Sequence, residues 1–252
     1  MIMRKQFYLL FILLSIFHLA NAQLKLCVYE NNGYVKQFVA SNVDSLSFTP
    51  PSDNPINPNS DEVVEFVDLG LSVRWATCNI GATAPEEYGE YFAWGEVQTK
   101  KYYDFDNYKW TMSMPGTITK YCTMESYGYV DDKTQLEPAD DAARVNLADR
   151  WRMPTKYEFY ELIYNCSLNW TEKNGVPGYE CVSRFNGKSI FIPAAGYNAH
   201  NPISVNEYGY YWTSLLDQTN NDRAMQFAFN KESVKIIGGT RYYGQPIRPV
   251  LP

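Results

Sequence analysis

The sequence predicts an α+β domain in which one or two helices pack against small twisted antiparallel sheets joined by long loops. Three observations predict this class. Strand-like stretches come first, a segment with helical periodicity follows, and alternating strands separated by turn residues continue to the C-terminus. Because apolar residues make up 45% of the chain and aromatic residues 16%, the sequence can bury a substantial core.

The N-terminal residues have the pattern of a secretory signal peptide. Arg4 and Lys5 precede an apolar run over residues 7–17, and residues 20–22 are the small residues that a signal peptidase needs. We expect cleavage near Ala22 and a secreted or cell-surface protein. No later stretch approaches the roughly 20 apolar residues of a membrane-spanning helix, so we expect no transmembrane helix in the mature chain. The net charge of −6 disfavours nucleic acid as a partner.

The mature chain is predicted to have three parts. Residues 23–49 alternate apolar and polar side chains around Asn31-Asn32-Gly33, which predicts a short N-terminal β-hairpin unit, with VDSLSF as a third strand. Residues 50–60 are rich in proline and asparagine, which predicts an extended linker. Residues 61–252 contain no internal repeat and are predicted to form one domain.

Strands are predicted at both ends of this domain. The stretch EFVDLGLSVRWATCNIG indicates two strands broken at Gly70, YGEYFAWGE indicates a third, and residues 98–135 are predicted to be a long surface loop. Asn186-Gly187 is the signal of a type I′ hairpin. After it, YYWTS, AMQFAFN and SVKII are separated by turn residues and predict an antiparallel meander.

The helical segment is the clearest local pattern. Thr155 followed by Glu158 matches a capping box, and apolar residues recur after it at helical spacing, so we predict a helix over residues 155–166. The stretch EPADDAARVNL before it predicts a shorter helix, because acidic residues favour a helix N-terminus.

The number and spacing of the cysteines limit which metal sites and disulfides the chain can form. The mature chain has five cysteines: Cys27, Cys78, Cys122, Cys166 and Cys181. They form no C-x-x-C pair, and His200 is the only mature histidine, which disfavours a zinc site. Buried thiols or one or two disulfides are both consistent with an exported protein. For a single disulfide we predict Cys166 with Cys181, and Cys78 with Cys122 is the alternative.

Several stretches together resemble a known family. DLGLSVRWATCNIGA, YGEYFAWGE, LEPADDAARVN, WRMPTKYEFYELI, SIFIPAAGY, GYYWTS and YYGQPIRPV follow one another between residues 66 and 250. They resemble the Fibrobacter succinogenes major paralogous domain of exported Bacteroidetes proteins. The resemblance implies a C-type-lectin-like fold with many surface loops over a small twisted sheet. It leaves the function open, because a fold does not specify an activity.

Catalytic activities lack their central residues in this chain. Formylglycine-generating enzymes, which the resemblance relates to this fold, use a cysteine pair in the C-terminal part, and this chain has no cysteine after Cys181. Ser214 follows Trp212 on a predicted strand, so we expect its hydroxyl to bind nearby backbone rather than to act as a nucleophile. No two carboxylates stand out as a glycosidase pair. We expect no catalytic residues, and an enzyme of either type is the alternative.

An acidic group offers a weak calcium site. Its members are Asp131, Asp132, Glu137, Asp140 and Asp141. Carboxylate oxygens suit calcium, but a solvated helix start explains the same residues more readily. The calcium-and-sugar motif of true C-type lectins is degraded here, since Glu137-Pro138-Ala139 lacks the amide. We therefore expect no cofactor, with calcium as the weaker alternative.

Aromatic and polar residues near the C-terminus favour a binding surface. We predict these ligand-binding residues: Tyr208, Tyr210, Asn220, Asn221, Asp222, Arg241, Tyr242 and Tyr243. Tyrosines mixed with asparagine and arginine suit a glycan or a surface-protein ligand, because they combine ring faces with hydrogen-bonding groups. The outward face of an ordinary sheet is the alternative. A structural subunit assembled through residues 23–49 is another, and the oligomeric state stays open.

Overall fold

The computed structural model describes residues 64–112, 117–147 and 150–252, and the backbone of two earlier strands. It divides into two compact units, Met1–Pro51 and Ser52–Pro252. In the first unit, β1 (Lys25–Tyr29) pairs antiparallel with β2 (Val35–Val39), as the predicted N-terminal hairpin requires. The predicted signal peptide, linker and third strand lie outside the described residues.

The second unit consists mainly of small antiparallel sheets with two α-helices, which confirms the α+β class. Its elements are β3 (Phe66–Val67), β4 (Arg74–Ala76), β5 (Thr111–Met112), β6 (Thr117–Ile118), α1 (Ala142–Leu147), α2 (Lys156–Asn165), β7 (Cys166–Lys173), β8 (Val176–Ser183), β9 (Ser189–Pro193), β10 (Tyr197–Asn198), β11 (Pro202–Ile203), β12 (Gly209–Leu216), β13 (Arg223–Phe229), β14 (Val234–Thr240) and β15 (Val250–Leu251). Neither helix of the described part is long and apolar enough to cross a membrane.

Three sheets of three strands form the frame of this unit. Their strand orders are β12-β13-β14, β7-β8-β9 and β15-β4-β3. The first confirms the predicted meander, and β3 and β4 confirm the two strands around Gly70. In the third sheet Trp75 lies opposite Val250, so the last strand of the unit closes onto one of its first. The strand predicted in YGEYFAWGE is wrong, because Phe92 makes only an isolated bridge with Gln245.

Two Asn-Gly sequences of the larger unit make different turns. Asn186-Gly187 connects β8 to β9, as predicted, but only Gly187 has positive φ, so the turn is not type I′. The two-residue turn is Asn174-Gly175, where both residues have positive φ (50° and 82°) and Lys173 pairs with Val176. This second hairpin has the backbone signs that a type I′ turn needs. The sequence prediction did not include β7, which is mostly exposed after its first residues.

Helix α2 is close to its predicted bounds and anchors the larger core. Thr155 and Glu158 form the predicted capping box, which satisfies two backbone N–H groups at the start of the helix. On its buried face Phe159 stacks on Phe227 of β13 at 4.6 Å and meets Trp75 at 5.1 Å. The helix therefore joins the meander to the sheet that contains the C-terminal strand.

A second core fixes the long loop of residues 98–135 and the segment before it. Trp94 Nε1 donates to the carbonyl oxygen of Thr213 on β12, and Trp212 Nε1 donates to that of Phe92, both at 2.8 Å. The predicted loop is confirmed as largely irregular, with β5 and β6 as its only strands among the described residues. These indole hydrogen bonds hold the segment before the loop against the meander, and Tyr121 of the loop packs edge to face on Trp94 at 5.2 Å.

Candidate functional site

A cleft of about 380 Å³ opens beside the end of β14. Its lining residues come from the long loop and from one end of the β13–β14 pair, where β13 begins and β14 ends: Phe105, Tyr108, Thr111, Ile118, Asn220, Asp222, Arg223, Thr240, Arg241 and Tyr242. Four of the predicted ligand residues, Asn220, Asp222, Arg241 and Tyr242, are thus brought together. A second cleft of about 390 Å³ contains none of the predicted residues.

Arg241 is a framework residue beneath this cleft, and its predicted role as a ligand contact is corrected. Its side chain is buried, with 1% exposed. The guanidinium donates to the carbonyl oxygens of Tyr121 and Asn221 at 3.0 Å and of Lys120 at 2.9 Å, and Nε donates to Tyr108 Oη at 3.0 Å. It also lies 4.8 Å from the Trp94 ring centre, a cation–π contact. Its hydrogen bonds are already made inside the protein.

Asn221 is also internal, which corrects the second predicted contact. Its side chain is fully buried, and Oδ1 accepts hydrogen bonds from the Thr123 backbone N–H at 2.7 Å and from the Thr123 hydroxyl at 3.2 Å. The residue connects the β12–β13 turn to the long loop. The sequence cannot show this, because the two partners are 98 positions apart.

The rim residues of the cleft, defined here as Asn220, Asp222, Arg223 and Thr240, have unused hydrogen-bonding groups. Asp222 and Arg223 are exposed, and their side chains make no hydrogen bond or ion pair within the described residues. The Thr240 hydroxyl and the Asn220 amide nitrogen likewise have no partner there. The cleft therefore offers a carboxylate, a guanidinium, a hydroxyl and an amide to a ligand. Arg223 and Thr240 were not among the predicted residues.

A continuous row of tyrosines runs up to this cleft; we call it the tyrosine ridge. It consists of Tyr208, Tyr210, Tyr197, Tyr243 and Tyr242, with successive ring centres 5.8, 5.5, 5.0 and 4.9 Å apart. Tyr242 then meets Phe105 edge to face at 5.9 Å. All five rings are exposed or half-buried, so four predicted tyrosines are joined in one surface.

Tyr197 is the member of the ridge that sequence reasoning missed. Tyr197 lies on β10, and the next residue of this strand, Asn198, forms a bridge with Gly244. This bridge places Tyr197 between Tyr210 and Tyr243. Burial raises the pKa of Tyr197, Tyr210 and Tyr242 above the usual value for tyrosine. A tyrosine hydroxyl is protonated at neutral pH in any case and can donate a hydrogen bond, and the raised pKa extends this state into more alkaline solution.

Four of the five predicted acidic residues, Asp131, Glu137, Asp140 and Asp141, are engaged by donors of the protein. Glu137 and Asp140 each approach Lys120 Nζ to 2.5 Å, and Asp131 accepts two backbone N–H bonds from the loop before it. Asp141 caps the start of α1 by accepting from two backbone N–H groups. Within residues 64–112, 117–147 and 150–252, no three acidic, histidine or cysteine residues are grouped as metal ligands.

Ser214 is buried on β12, with 2% exposed. Its backbone bonds to Pro154 and Leu136, but its hydroxyl has no partner among the described residues, so the expected backbone bond of that hydroxyl is wrong. His200 is mostly exposed and its Nε2 lies 3.8 Å from Asp104. No hydrogen bond links the serine to this histidine in the described part of the chain, and a serine nucleophile needs such a base.

The predicted disulfide between Cys166 and Cys181 is not formed. Both are free thiols, as are Cys78 and Cys122. Across the β7–β8 pair Cys166 lies opposite Ser183 and Cys181 opposite Leu168, so the two cysteines are diagonal neighbours. Diagonal positions are about 7–8 Å apart, whereas the Cα atoms of a disulfide lie within about 6.8 Å.

The comparisons with known proteins assign no family to this chain. Neither the models of protein families, nor the curated proteins, nor the solved structures gave a match.

Proposed function

We propose that this chain is an exported, non-catalytic binding module of C-type-lectin-like fold that holds a glycan or a protein on its C-terminal loop face. One observation carries the proposal: the tyrosine ridge runs without a break into the cleft, and Tyr242 belongs to both. A row of partly exposed rings beside unused polar groups is the composition of a recognition surface.

Several features support the fold and compartment in this proposal. The sequence stretches that resemble the Fibrobacter succinogenes major paralogous domain occur in order along the larger unit. The resemblance implies loops over a small twisted sheet, and the long loop of residues 98–135 beside the small sheets is consistent with it. The pairing of β4 with β15 also brings the two ends of that unit together. Export is supported by the leader-like residues 1–22.

The composition of the cleft favours binding without turnover. Among the described residues that line it, Asp222 is the only carboxylate. Hydrolysis of a glycosidic bond ordinarily needs two carboxyl groups on opposite sides of the bond. We therefore propose that the cleft positions a ligand and leaves it unchanged.

Binding of the mature protein, residues 23–252, to a glycan array and to a panel of extracellular-matrix proteins tests this proposal. We expect binding that falls at least about tenfold in Tyr242→Ala, because the ring that belongs to both the ridge and the cleft is lost. Tyr157→Ala is the matched control, since Tyr157 is an exposed tyrosine of α2 outside the ridge. Circular dichroism establishes that each variant is folded. A folded protein that binds nothing, or an equal loss in both variants, would contradict the proposal.

A further inference from the structure

We infer that the cleft takes a neutral carbohydrate, with one sugar ring seated against Tyr242 and the rim residues. This inference rests on the proposed binding function and narrows its ligand to one chemical class. Three observations carry it: the presence of both donors and acceptors at the rim, the arrangement of the aromatic wall, and the balance of charge around the cleft.

The rim combines hydrogen-bond donors with acceptors in one cleft. Arg223 and the Asn220 amide can only donate through their free groups, Asp222 can only accept, and the Thr240 hydroxyl can do both. Neighbouring hydroxyls of a sugar each donate and accept, so they match such a mixed set. An apolar side chain of a protein partner would instead leave these groups desolvated without partners, which costs free energy.

The backbone around these groups is fixed before any ligand arrives. The Asp222 N–H donates to Asn220 Oδ1 at 3.0 Å, and its carbonyl oxygen accepts from the Arg241 N–H at 3.1 Å. The Tyr243 N–H donates to the Thr240 carbonyl oxygen at 3.1 Å. Because the buried Arg241 and Asn221 hold these segments to the long loop, little ordering remains to be done on binding.

The aromatic wall suits the apolar face of a sugar ring. Tyr242 and Phe105 meet at an interplanar angle of 88°, so their rings form a corner at the cleft. The C–H groups on one face of a pyranose are apolar and pack on an aromatic ring. Beyond Tyr242 the ridge continues through Tyr243 and Tyr197, which gives further sugar units of the same chain a surface to follow.

The charges and size of the cleft favour a small neutral ring. Its lining contains one exposed carboxylate, Asp222, and one exposed guanidinium, Arg223, while the positive charge of Arg241 is occupied by buried acceptors. Asp104 adds a negative charge near the Tyr242 hydroxyl. A volume of about 380 Å³ is at the lower end for ligand sites and fits a compact group better than a broad protein surface.

The test uses purified mature protein and three kinds of probe. Neutral polysaccharides are α-mannan, β-glucan and galactan; acidic ones are polygalacturonate and sialylated mucin; a glycoprotein is compared before and after enzymatic removal of its glycans. Binding is measured by affinity electrophoresis and calorimetry. We expect binding to at least one neutral polysaccharide and none to the acidic ones.

Asp222→Asn is the decisive variant, because it keeps the shape and replaces an accepting carboxylate by an amide. We expect affinity for the neutral probe to fall at least about tenfold, through loss of charge-assisted hydrogen bonds to hydroxyls. Glu232→Gln is the matched control, because Glu232 is an exposed carboxylate beyond the opposite end of β14. Equal affinities of Asp222→Asn and the unaltered protein would overturn the inference.

The failures of the inference and of the proposed function are distinguishable. Binding to the deglycosylated protein that is lost in Tyr242→Ala would overturn the carbohydrate inference while the binding function stands. Binding confined to acidic polysaccharides would overturn the neutral class in the same way. A folded protein that binds none of the probes, nor any member of the array, would contradict both.

Discussion

Arg241 Nη1 donates a 3.0 Å hydrogen bond to the carbonyl oxygen of Asn221, and both side chains are buried. Two residues that the sequence predicts as ligand contacts therefore hold the β12–β13 turn to the end of β14. Their neighbours Asp222 and Tyr242 line the cleft with exposed or half-buried side chains, whereas Arg241 lies buried beneath it. We therefore expect substitutions of the two buried residues to lower stability, and substitutions of Asp222 and Tyr242 to affect the proposed binding.

Replacement of Arg241 by Met is expected to lower the free energy of unfolding by about 3 kcal/mol or more. Three carbonyl oxygens and the Tyr108 hydroxyl lose a buried donor in this variant. Urea denaturation measures the change. Arg223→Met is the control, and we expect it to stay within about 0.5 kcal/mol because its side chain is exposed. Similar losses in the two variants would show that Arg241 is not a framework residue.

Stability should fall in alkaline solution in a manner that depends on Tyr108. Burial raises the pKa of Tyr108 to about 12, from 10.0 for an ordinary tyrosine. As pH rises, the unfolded chain therefore loses the Tyr108 proton before the folded protein does. The contribution of protonated Tyr108 to the free energy of unfolding is complete below pH 10.0 and is lost as pH rises towards about 12. Denaturant unfolding of the unaltered protein and of Tyr108→Phe over this range measures it.

The phenylalanine variant should be less stable at neutral pH, because the Tyr108 hydroxyl donates to the carbonyl oxygen of Trp94 at 2.6 Å. The free energy of unfolding of the variant should fall less steeply with rising pH than that of the unaltered protein. The difference in this free energy between the two proteins should therefore narrow by up to about 1.4 kcal/mol per pH unit between pH 10.0 and about 12. Parallel declines would mean that Tyr108 titrates normally in the folded protein.

The thiols should react in the order of their exposure. Cys78 is half-buried, whereas Cys122, Cys166 and Cys181 are buried. Burial raises the pKa of the Cys166 thiol to about 11, and it also raises the pKa of the Cys181 thiol. In a Cys27→Ser protein at about pH 8, a thiol reagent should label Cys78 first, because the thiolate is the reactive form. Mass spectrometry without reductant should find four labelled thiols after unfolding. If Cys166 and Cys181 both stayed unlabelled, the result would show that they form the predicted disulfide.

Gly209 on β12 should tolerate no side chain. A Cβ atom there would lie 2.0 Å from the ring of Phe229, a core residue of the neighbouring strand. Gly209→Ala is therefore expected to lower the free energy of unfolding by about 2–3 kcal/mol, through overpacking of the core. Gly175→Ala should cost about 1 kcal/mol, because its positive φ is strained by a side chain but nothing lies within 4 Å. Thermal unfolding of both variants measures these effects. Equal decreases in melting temperature would show that the core around Phe229 accommodates the added methyl group.

Local signals predicted the elements that depend on neighbours in sequence. The capping box of Thr155 and Glu158 fixed the start of α2, and the alternation of the last strands identified the meander. The β7–β8 hairpin had an equally good signal in Asn174-Gly175, but the exposed second half of β7 lacks the apolar alternation of a strand.

The candidate site was predicted where its residues cluster in the sequence, and it was missed where they meet through contacts between distant parts of the chain. Tyrosines clustered in the chain identified most of the ridge, whereas Tyr197 joins it through a pairing with the last loop. The burial of Arg241 depends on the carbonyl oxygen of Tyr121, 120 positions earlier. An arginine between a threonine and two tyrosines has the same local pattern on a surface as in an interior.

Inward and outward residues alternate in the two short segments beside the cleft, where Asn221 and Arg241 point in while Asn220, Asp222 and Tyr242 line the opening. Under the proposed binding function, the outward positions are therefore expected to determine ligand selectivity, while the inward residues preserve the backbone. A library randomised at the outward positions alone should stay folded and yield variants with altered ligand preference.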